Sequence, residues 1–496
     1  MIQSIVKRLT STDHVSVGWL YAATIALFAL AGTALGLTLV IVTVKPTLLF
    51  LNPAMYARFF TLHGNIMINL LILPVFAGVF GNLILPRVIG SSRVALPRTN
   101  LIGWWLYLAG GLLMLVGLWV GVYDGGWTLH TPLKGMSSPA FITLMSGLLL
   151  LAGSLFLASL NVALTIYRRR KAGTGWAGLS LVGWTLFLAA LVHLIIMPER
   201  FLFLLTQLVG HFGADGWIKQ ATSPDSQVFQ HLFWVSSSPA VTIVILPAIG
   251  LISELLATFT GKKLFARQGV LIACCVFAGL SLVVWGEHLL IGEQATRTSV
   301  LFSFLSALQG IPAGFVLLAW LATMFRGSIT PHAPFWYAFA AVALWVMGGL
   351  AGVTMSIMSM NVQLHSTAFV VGHTHITIAG SVLLAIFGGL YYWWPLITGS
   401  MVNERAAKVA LSVSAVGILL TFIPYFVLGV KGVPRRLSVY PSQFQPEHYW
   451  AAAGGVVLVC GVLFLVWNLV TSRKTLAAEP VNPWSSDAPE WTGQTG

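Results

Sequence analysis

The sequence predicts an all-α membrane protein, a bundle of about twelve transmembrane helices. Three observations predict it. Hydrophobic residues make up 57% of the 496 and charged residues only 8%, with a mean hydropathy of +0.88. The apolar residues are gathered into runs of roughly 20 or more, the length a helix needs to cross hydrocarbon. The loops between these runs are short, which leaves no room for a soluble module.

The runs, in order, are Val17–Val44, Phe60–Leu85, Leu101–Val122, Pro139–Tyr167, Leu179–Leu205 and Val228–Leu256. They continue at Gln268–Ile291, Val300–Phe325, Phe335–Met358, Thr367–Leu396, Ala406–Leu428 and Trp450–Leu469. Together they predict one membrane domain over residues 17–471, with a segment 1–16 before it and a polar tail 472–496 after it. The tail contains proline and little apolar surface, and is expected to be disordered. The first run is too long for a signal-peptide core, and no small-residue cleavage site follows it. Cys274, Cys275 and Cys460 lie in apolar runs without a Cys-x-x-Cys spacing, so neither a disulfide framework nor a thiolate metal site is indicated.

The formal charge of +13 does not describe a nucleic-acid surface, because the basic residues are scattered between the runs. Lys7, Arg8, Arg87, Arg93, Arg98, the run Arg168–Lys171, Lys262, Lys263, Arg267, Arg326, Arg405, Lys408, Arg473 and Lys474 fall on one side if the N-terminus is cytoplasmic. That bias places both termini in the cytoplasm.

The topology assigns depths. The second helix enters from outside, which puts His63 about 5 Å below the outer end at 1.5 Å per residue. His373 and His375, in Val370-Val371-Gly372-His373-Thr374-His375 of the tenth helix, lie roughly 9–12 Å deep. Glu287 and His288, in Trp285-Gly286-Glu287-His288 of the seventh, are about as shallow as His63. Five polar groups on three helices thus share the outer third of the membrane. Ionisable groups are costly there and mark function by default.

Residues advance about 100° around a helix, so His373 and His375 point roughly 200° apart. One metal ion does not easily take both, whereas two flat cofactors on opposite sides can. Gly64, beside His63, lets a flat ring approach the backbone. An interhelical hydrogen-bonded histidine is the alternative for His63, but the matched depths favour an axial haem ligand. Two imidazoles make a six-coordinate haem suited to electron transfer, and one makes a five-coordinate haem open to a small gas. Glu287 with His288 reads either as a buried acid paired with Arg297 or the backbone, or as a metal or proton site facing the open haem. A carboxylate with an imidazole suits iron better than copper(I). Lys431, Arg435 and Arg436 form either a solvated basic loop or a clamp on haem-edge carboxylates. His14, His130, His193, His211, His332 and His448 read as structural.

Motifs along the whole chain carry a resemblance. They are Leu62-His63-Gly64-Asn65-Ile66-Met67-Ile68, Gly78-Val79 through Gly90, Ala95-Leu96-Pro97-Arg98-Thr99-Asn100, Gly126-Trp127-Thr128 with Pro132-Leu133, and His231-Leu232-Phe233-Trp234 leading to Ile245-Leu246-Pro247. Gly310-Ile311-Pro312-Ala313-Gly314, Trp320 to Thr323, His365 to His375, Phe387-Gly388-Gly389 through Pro395, and Val433-Pro434-Arg435-Arg436 with Tyr440-Pro441 complete them. The chain resembles subunit I of the haem–copper oxidase superfamily, closest to the cytochrome c oxidase type. The resemblance implies that bundle fold and two haems. His63 and His375 would be the low-spin ligands and His373 the high-spin ligand. Arg435 and Arg436 would meet the propionates, and Trp127 would count among the cofactor-binding residues.

The sequence departs from the family where the second metal belongs. The copper ligand of the sixth helix falls on Ser238, its glutamate on Ala240 and the redox-active tyrosine on Thr242. The paired histidines of the seventh helix become Glu287 and His288, the channel lysine falls on Val316, the channel aspartate on Arg93, and a His-Asp pair becomes His365-Ser366. Copper is therefore not expected, and non-haem iron is the metal the remaining donors would suit if a second metal is held. The departures point to a non-pumping, gas-reducing enzyme similar to nitric oxide reductases of this superfamily. An oxygen reductase with a rebuilt site, His231 being the nearest spare ligand, stays open. So does a non-catalytic dihaem electron-transfer subunit. Expected partners are lipid, a cytochrome c or subunit II-like electron donor, and O2 or NO. The expected location is a bacterial or archaeal cytoplasmic membrane.

Overall fold

The computed structural model describes residues 2–44, 52–121, 126–129, 136–171, 175–213, 215–223, 226–290, 296–474 and 482–492. His130, Pro132 and Leu133 lie outside them. Among the described residues, eleven helices are long and apolar enough to cross a membrane, and a twelfth is apolar but shorter. They are α1 His14–Val44, α2 Pro53–Leu83, α3 Pro97–Val120, α4 Ser138–Arg169, α5 Leu181–His211 and α6 Gln227–Thr260. The second half comprises α7 Arg267–Ser281, α8 Arg297–Met324, α9 Ala333–Ser356, α10 Ala368–Thr398, α11 Glu404–Val430 and α12 Gln445–Val470.

Polar side chains start several of these helices. Asn52, Ser180, Thr367 and Asn403 each accept a backbone N–H of the first turn, at α2, α5, α10 and α11. Gly261 and Gly399 end α6 and α10 in the left-handed conformation that costs glycine little.

Helix α6 sits among α5, α8, α9 and α10, and its most apolar window is 78% buried against 28% for α1. The two sequences are similarly apolar, so hydropathy alone does not separate the central helix from one that faces lipid. Helix α1 packs on both α2 and α12 and closes the bundle.

Three features depart from expectation. The seventh helix does not run to Ile291 as one rod; α7 stops at Ser281 and the chain tightens into a 3₁₀ turn over Val284–Leu289. Gly286 fits this turn because a Cβ there would lie 2.3 Å from the Phe302 ring. Helices α2 and α10 contain π-helical stretches, Ile66–Ile72 and Val75–Phe80 in the first and Ile376–Val382 in the second.

The tail is not disordered throughout. Residues 482–492 are docked on the end of α10. Trp484 Nε1 donates to the Tyr392 carbonyl at 2.9 Å, Tyr392 Oη to Ser486 Oγ at 3.0 Å and Trp393 Nε1 to Glu490 Oε1 at 3.2 Å. The tail's two tryptophans bury enough apolar area to hold a segment whose composition otherwise reads as solvated.

Candidate cofactor and metal site

His63 comes from α2, three residues before the chain turns π-helical at Ile66, and His375 lies immediately before the π stretch that starts at Ile376 in α10. π-helical turns are rare and concentrate at functional sites. The two imidazoles face each other with ring centroids 6.1 Å apart and planes 11° from parallel. His63 Nδ1 is 2.8 Å from the Gly32 carbonyl and His375 Nδ1 is 2.8 Å from the Val371 carbonyl. A carbonyl only accepts, so each Nδ1 carries the ring proton and each Nε2 keeps its lone pair. That is the tautomer a metal ligand needs, held by the hydrogen bond that orients it. An ion with ~2.0 Å bonds to two imidazole nitrogens, each about 1.1 Å from its ring centre, would separate the centres by roughly 6 Å. The observed spacing fits one ion between the rings.

Close packing fixes both rings. Phe422 of α11 lies flat on His375 at 4.4 Å and 15°. At Gly36 of α1 a Cβ would stand 2.7 Å from His63 Cε1. Trp127 packs over Gly64, where a Cβ would lie 3.4 Å from its side chain, and meets Phe233 and Trp234 on its other edges. Glycine at 64 thus receives an indole.

His373 points elsewhere. It faces α9, where a Cβ on Gly352 would lie 3.2 Å from its Cε1. Its Nδ1 is buried near the Gly348 carbonyl without a well-formed hydrogen bond. The neighbours of His375 are on α2 and α11, so the two histidines do occupy opposed faces of α10.

The loop after α11 lies at the same end. The Arg435 N–H donates to the Ser366 carbonyl at 3.1 Å, and Thr367 bridges to Pro434. Arg436, at φ 72°, donates to Thr128 Oγ1 at 3.5 Å, and its guanidinium lies 5.4 Å from the Phe60 ring centre. Gly126 N–H donates to Thr61 Oγ1 at 3.1 Å. These contacts tie the start of α2, the 126–128 turn and the start of α10 into one layer. Burial, and secondarily Arg436 beside it, pull Arg435 down to about 10, still cationic at neutral pH. Two adjacent guanidinium groups, one of them buried, call for an anion, and planar forks suit carboxylates. His365, with a buried and unpartnered Nδ1, is held near 4 by burial and then by Arg435.

Glu287 and His288 lie on the 3₁₀ turn after α7. Glu287 Oε2 accepts from Ser306 of α8, not from Arg297, and Oε1 is 3.5 Å from His288 Nε2. The His288 ring lies flat on Trp234 of α6 at 3.7 Å and 15°. His231, one turn before Trp234, meets Trp285 edge-on at 5.0 Å, and its Nδ1 is buried without a partner. Ser238 lies at the break in α6 before Pro239, its N–H on the Trp234 carbonyl at 3.0 Å. Among the described residues, no three His, Cys, Asp or Glu side chains converge as a metal-binding group. Glu287 and His288 are therefore neighbours of each other but are not gathered with His373 into a ready ligand set.

The other histidines divide. His14 bonds the Asn82 carbonyl at 2.9 Å, His193 meets Ser159 Oγ at 3.0 Å, His211 stacks on Phe141 at 4.4 Å and His332 lies 3.6 Å from Glu404. These are structural contacts, as expected. His448 is fully buried against Tyr440, with neither ring nitrogen hydrogen-bonded.

A family model described as "Cytochrome C and Quinol oxidase polypeptide I" matches residues 16–457. Cytochrome c oxidase subunit 1 of Thermostichus vulcanus is 29% identical over 97% of this chain and 88% of its own length. The same subunit of Synechocystis is 31% identical over 97% and 87%. Cytochrome c oxidase polypeptide 1 of Halobacterium salinarum is 32% identical over 97% and 82%. A solved heme-copper terminal oxidase dimer superposes with a TM-score of 0.80 at 20% identity, over 94% of this chain and 85% of that one. That last likeness concerns the fold, while the family match and the identities concern descent. The chain belongs to the cytochrome c and quinol oxidase polypeptide I family, the membrane-embedded subunit I of haem–copper oxidases.

Proposed function

We propose that this chain is the haem-bearing catalytic subunit I of a respiratory oxidoreductase that passes electrons from a six-coordinate haem to a five-coordinate one and reduces a small gas there. The observation that carries the reading is the His63–His375 pair, 6.1 Å apart, nearly parallel and anchored at both Nδ1 atoms. His63 and His375 would hold one haem between them, the low-spin one, and His373, on the opposite face of α10, would hold the high-spin haem. Arg435 and Arg436 hold carboxylates at the haem edges, and Trp127 covers the His63 side. The haems, when bound, supply one-electron storage and an open iron position for the gas.

The chain's own residues favour nitric oxide over O2. Ser238, Ala240 and Thr242 bring neither an imidazole, a carboxylate nor a phenol to the place where the family keeps them. Glu287 and His288 supply one carboxylate and one imidazole, a donor set that suits iron. Glu287 is positioned to pass protons from the nearer membrane surface, so protons enter from outside and none is pumped. Electrons come from a cytochrome c or a subunit II-like copper domain on another chain, in a cytoplasmic membrane with both termini inside. One observation favours a second reading, an oxygen reductase with a rebuilt ligand set. His231 has an unpartnered nitrogen on the same face of α6 as His288.

Metal analysis of the purified protein separates the readings. Two haems with extra iron, no copper and NO consumption support the first. Stoichiometric copper with O2 consumption supports the second and overturns the first.

A further inference from the structure

The end of the bundle opposite the His63–His375 layer carries a contact that the proposed activity does not use. Residues 482–492 lie there against the ends of α6 and α10 and the start of α9. The Trp484 ring meets Phe259 of α6 at 5.5 Å, His332 just before α9 at 5.4 Å and Tyr392 of α10 at 6.2 Å. Trp491 meets Tyr392 edge-on at 5.4 Å. Trp484, Ser486, Glu490 and Trp491 are all buried. So short a segment has no helix or strand of its own and is held by these contacts.

One of the buried groups is an acid. Glu490 accepts the Trp393 indole N–H at 3.2 Å, and the bundle sets a second acid beside it, Glu254 of α6, so that each charge acts on the other. None of the ion pairs among the described residues includes either carboxyl group. The other charged and titratable groups on the packed elements are few. Arg267, at the start of α7, acts on Glu254 and donates to the Leu179 carbonyl, and Tyr392 lies beside both acids. His332 is 3.6 Å from Glu404, which Lys408 also meets at 3.4 Å, and Asp487 is exposed. Two like charges brought together in a low-dielectric interface repel, and burial disfavours each of them. Burial holds Glu490 above its ordinary value, against the pull of its own N–H and of Trp393. Released into water, the same carboxyl titrates in the usual range. Docking therefore takes up a proton, so it is strongest in acid and is lost as pH rises through the docked value.

We propose that residues 482–492 form a detachable strap whose clasp is the Glu254–Glu490 carboxyl pair, docked while the pair holds a proton and released when both acids are ionised. The carboxyl O–H is the only bond formed or broken, and its proton is exchanged with water. Release uncovers Phe259 and Tyr392 and frees the end of α10, the helix that carries His373 and His375 near its start. The strap does not depend on which gas is reduced.

Hydrogen exchange of the full-length protein in detergent, read by mass spectrometry and corrected for the intrinsic rate at each pH, tests it. The scan runs from about pH 5 to about pH 9, a span that begins above the usual carboxylate range. Past the docked value, protection of the 482–492 amides should fall by about tenfold per pH unit. Glu490→Gln keeps an oxygen for Trp393 and cannot ionise, so its segment should stay protected throughout. Glu254→Gln removes the repulsion and should stay more protected than the wild type at the alkaline end. His332→Gln should leave the wild-type profile in place. Constant protection in the wild type overturns the proposal. So does a Glu490→Gln profile that still falls, a Glu490→Gln segment unprotected at every pH, or a profile that His332→Gln flattens. Should Glu490→Gln not accumulate, a Glu254→Gln profile identical to the wild type does the same.

Discussion

Two regions of the bundle face the same end and are built by different rules. Around His63 and His375, backbone carbonyls hold each Nδ1, an aromatic ring covers one imidazole, and the approach of the other leaves space only for glycine at position 36. Around Glu287 and His288, the carboxylate takes a serine hydroxyl and the imidazole rests on an indole. The first region is organised by the backbone, which does not depend on what binds. The second is organised by side chains that must rearrange before a metal could collect them. The difference teaches that the first pair is held in place by two helix backbones, whereas the second pair depends on side-chain contacts that single substitutions can change.

The largest break in this comparison comes from the first region. His375→Ala should abolish the low-spin, six-coordinate haem spectrum and, with it, turnover, because no second imidazole shares that space. A low-spin spectrum that survived the substitution would remove the pair from its role. Next, His373→Ala should abolish carbon monoxide binding to the reduced protein while the low-spin haem stays in place. Normal carbon monoxide binding in that variant would refute the assignment of opposed faces to separate haems.

Those opposed faces were legible in the sequence, because a two-residue spacing on a helix fixes its geometry before any packing is known. The spans were legible for the same reason, since hydrocarbon thickness sets their length. Other features were not. The 3₁₀ turn at Val284–Leu289 depends on Phe302 pressing on Gly286 from another helix, and the six residues themselves carry no trace of it. The π turns after His63 and His375 keep the same apolar composition as the α-helix around them. Trp484 and Trp491 were visible as residues, but their docking on Tyr392 and Trp393 depends on the end of α10 being there. Glu199 and Arg200 belong to no motif, and the burial of the Glu199 oxygens depends on packing that the sequence does not show.

The second region gives smaller effects. Glu287→Gln should slow turnover by about 10²-fold or more, the scale of a lost general acid–base group, with both haem spectra unchanged. In vesicles, turnover should eject no protons. An unaffected rate, or robust ejection, would mean that protons reach the site by another route. Copper should remain far below one per chain, and His288→Ala should not alter its content. Stoichiometric copper lost on His288→Ala would show that the second region is a better preformed site than its contacts indicate.

The smallest expected effect sharpens the comparison most, because it perturbs one region without removing any ligand. A methyl group on Gly36 would stand 2.7 Å from His63 Cε1 and 3.0 Å from Nδ1, closer than real Cβ contacts. The imidazole must yield by a few tenths of an ångström, and it cannot do so without straining its 2.8 Å bond to Gly32 one turn earlier in α1. Weakening that bond reduces the basicity of the coordinating nitrogen, so Gly36→Ala should keep the low-spin haem but shift its reduction potential and absorption maximum. Overpacking of this size costs typically ~1–3 kcal/mol, a loss that thermal unfolding in detergent should register. The carbon monoxide spectrum of the other haem should not move, since His373 faces α9 and shares no contact with Gly36. If both haems shift together, the two regions are mechanically coupled through α10 and the contrast between them fails. If neither shifts, His63 is not held against α1 when the haem is bound.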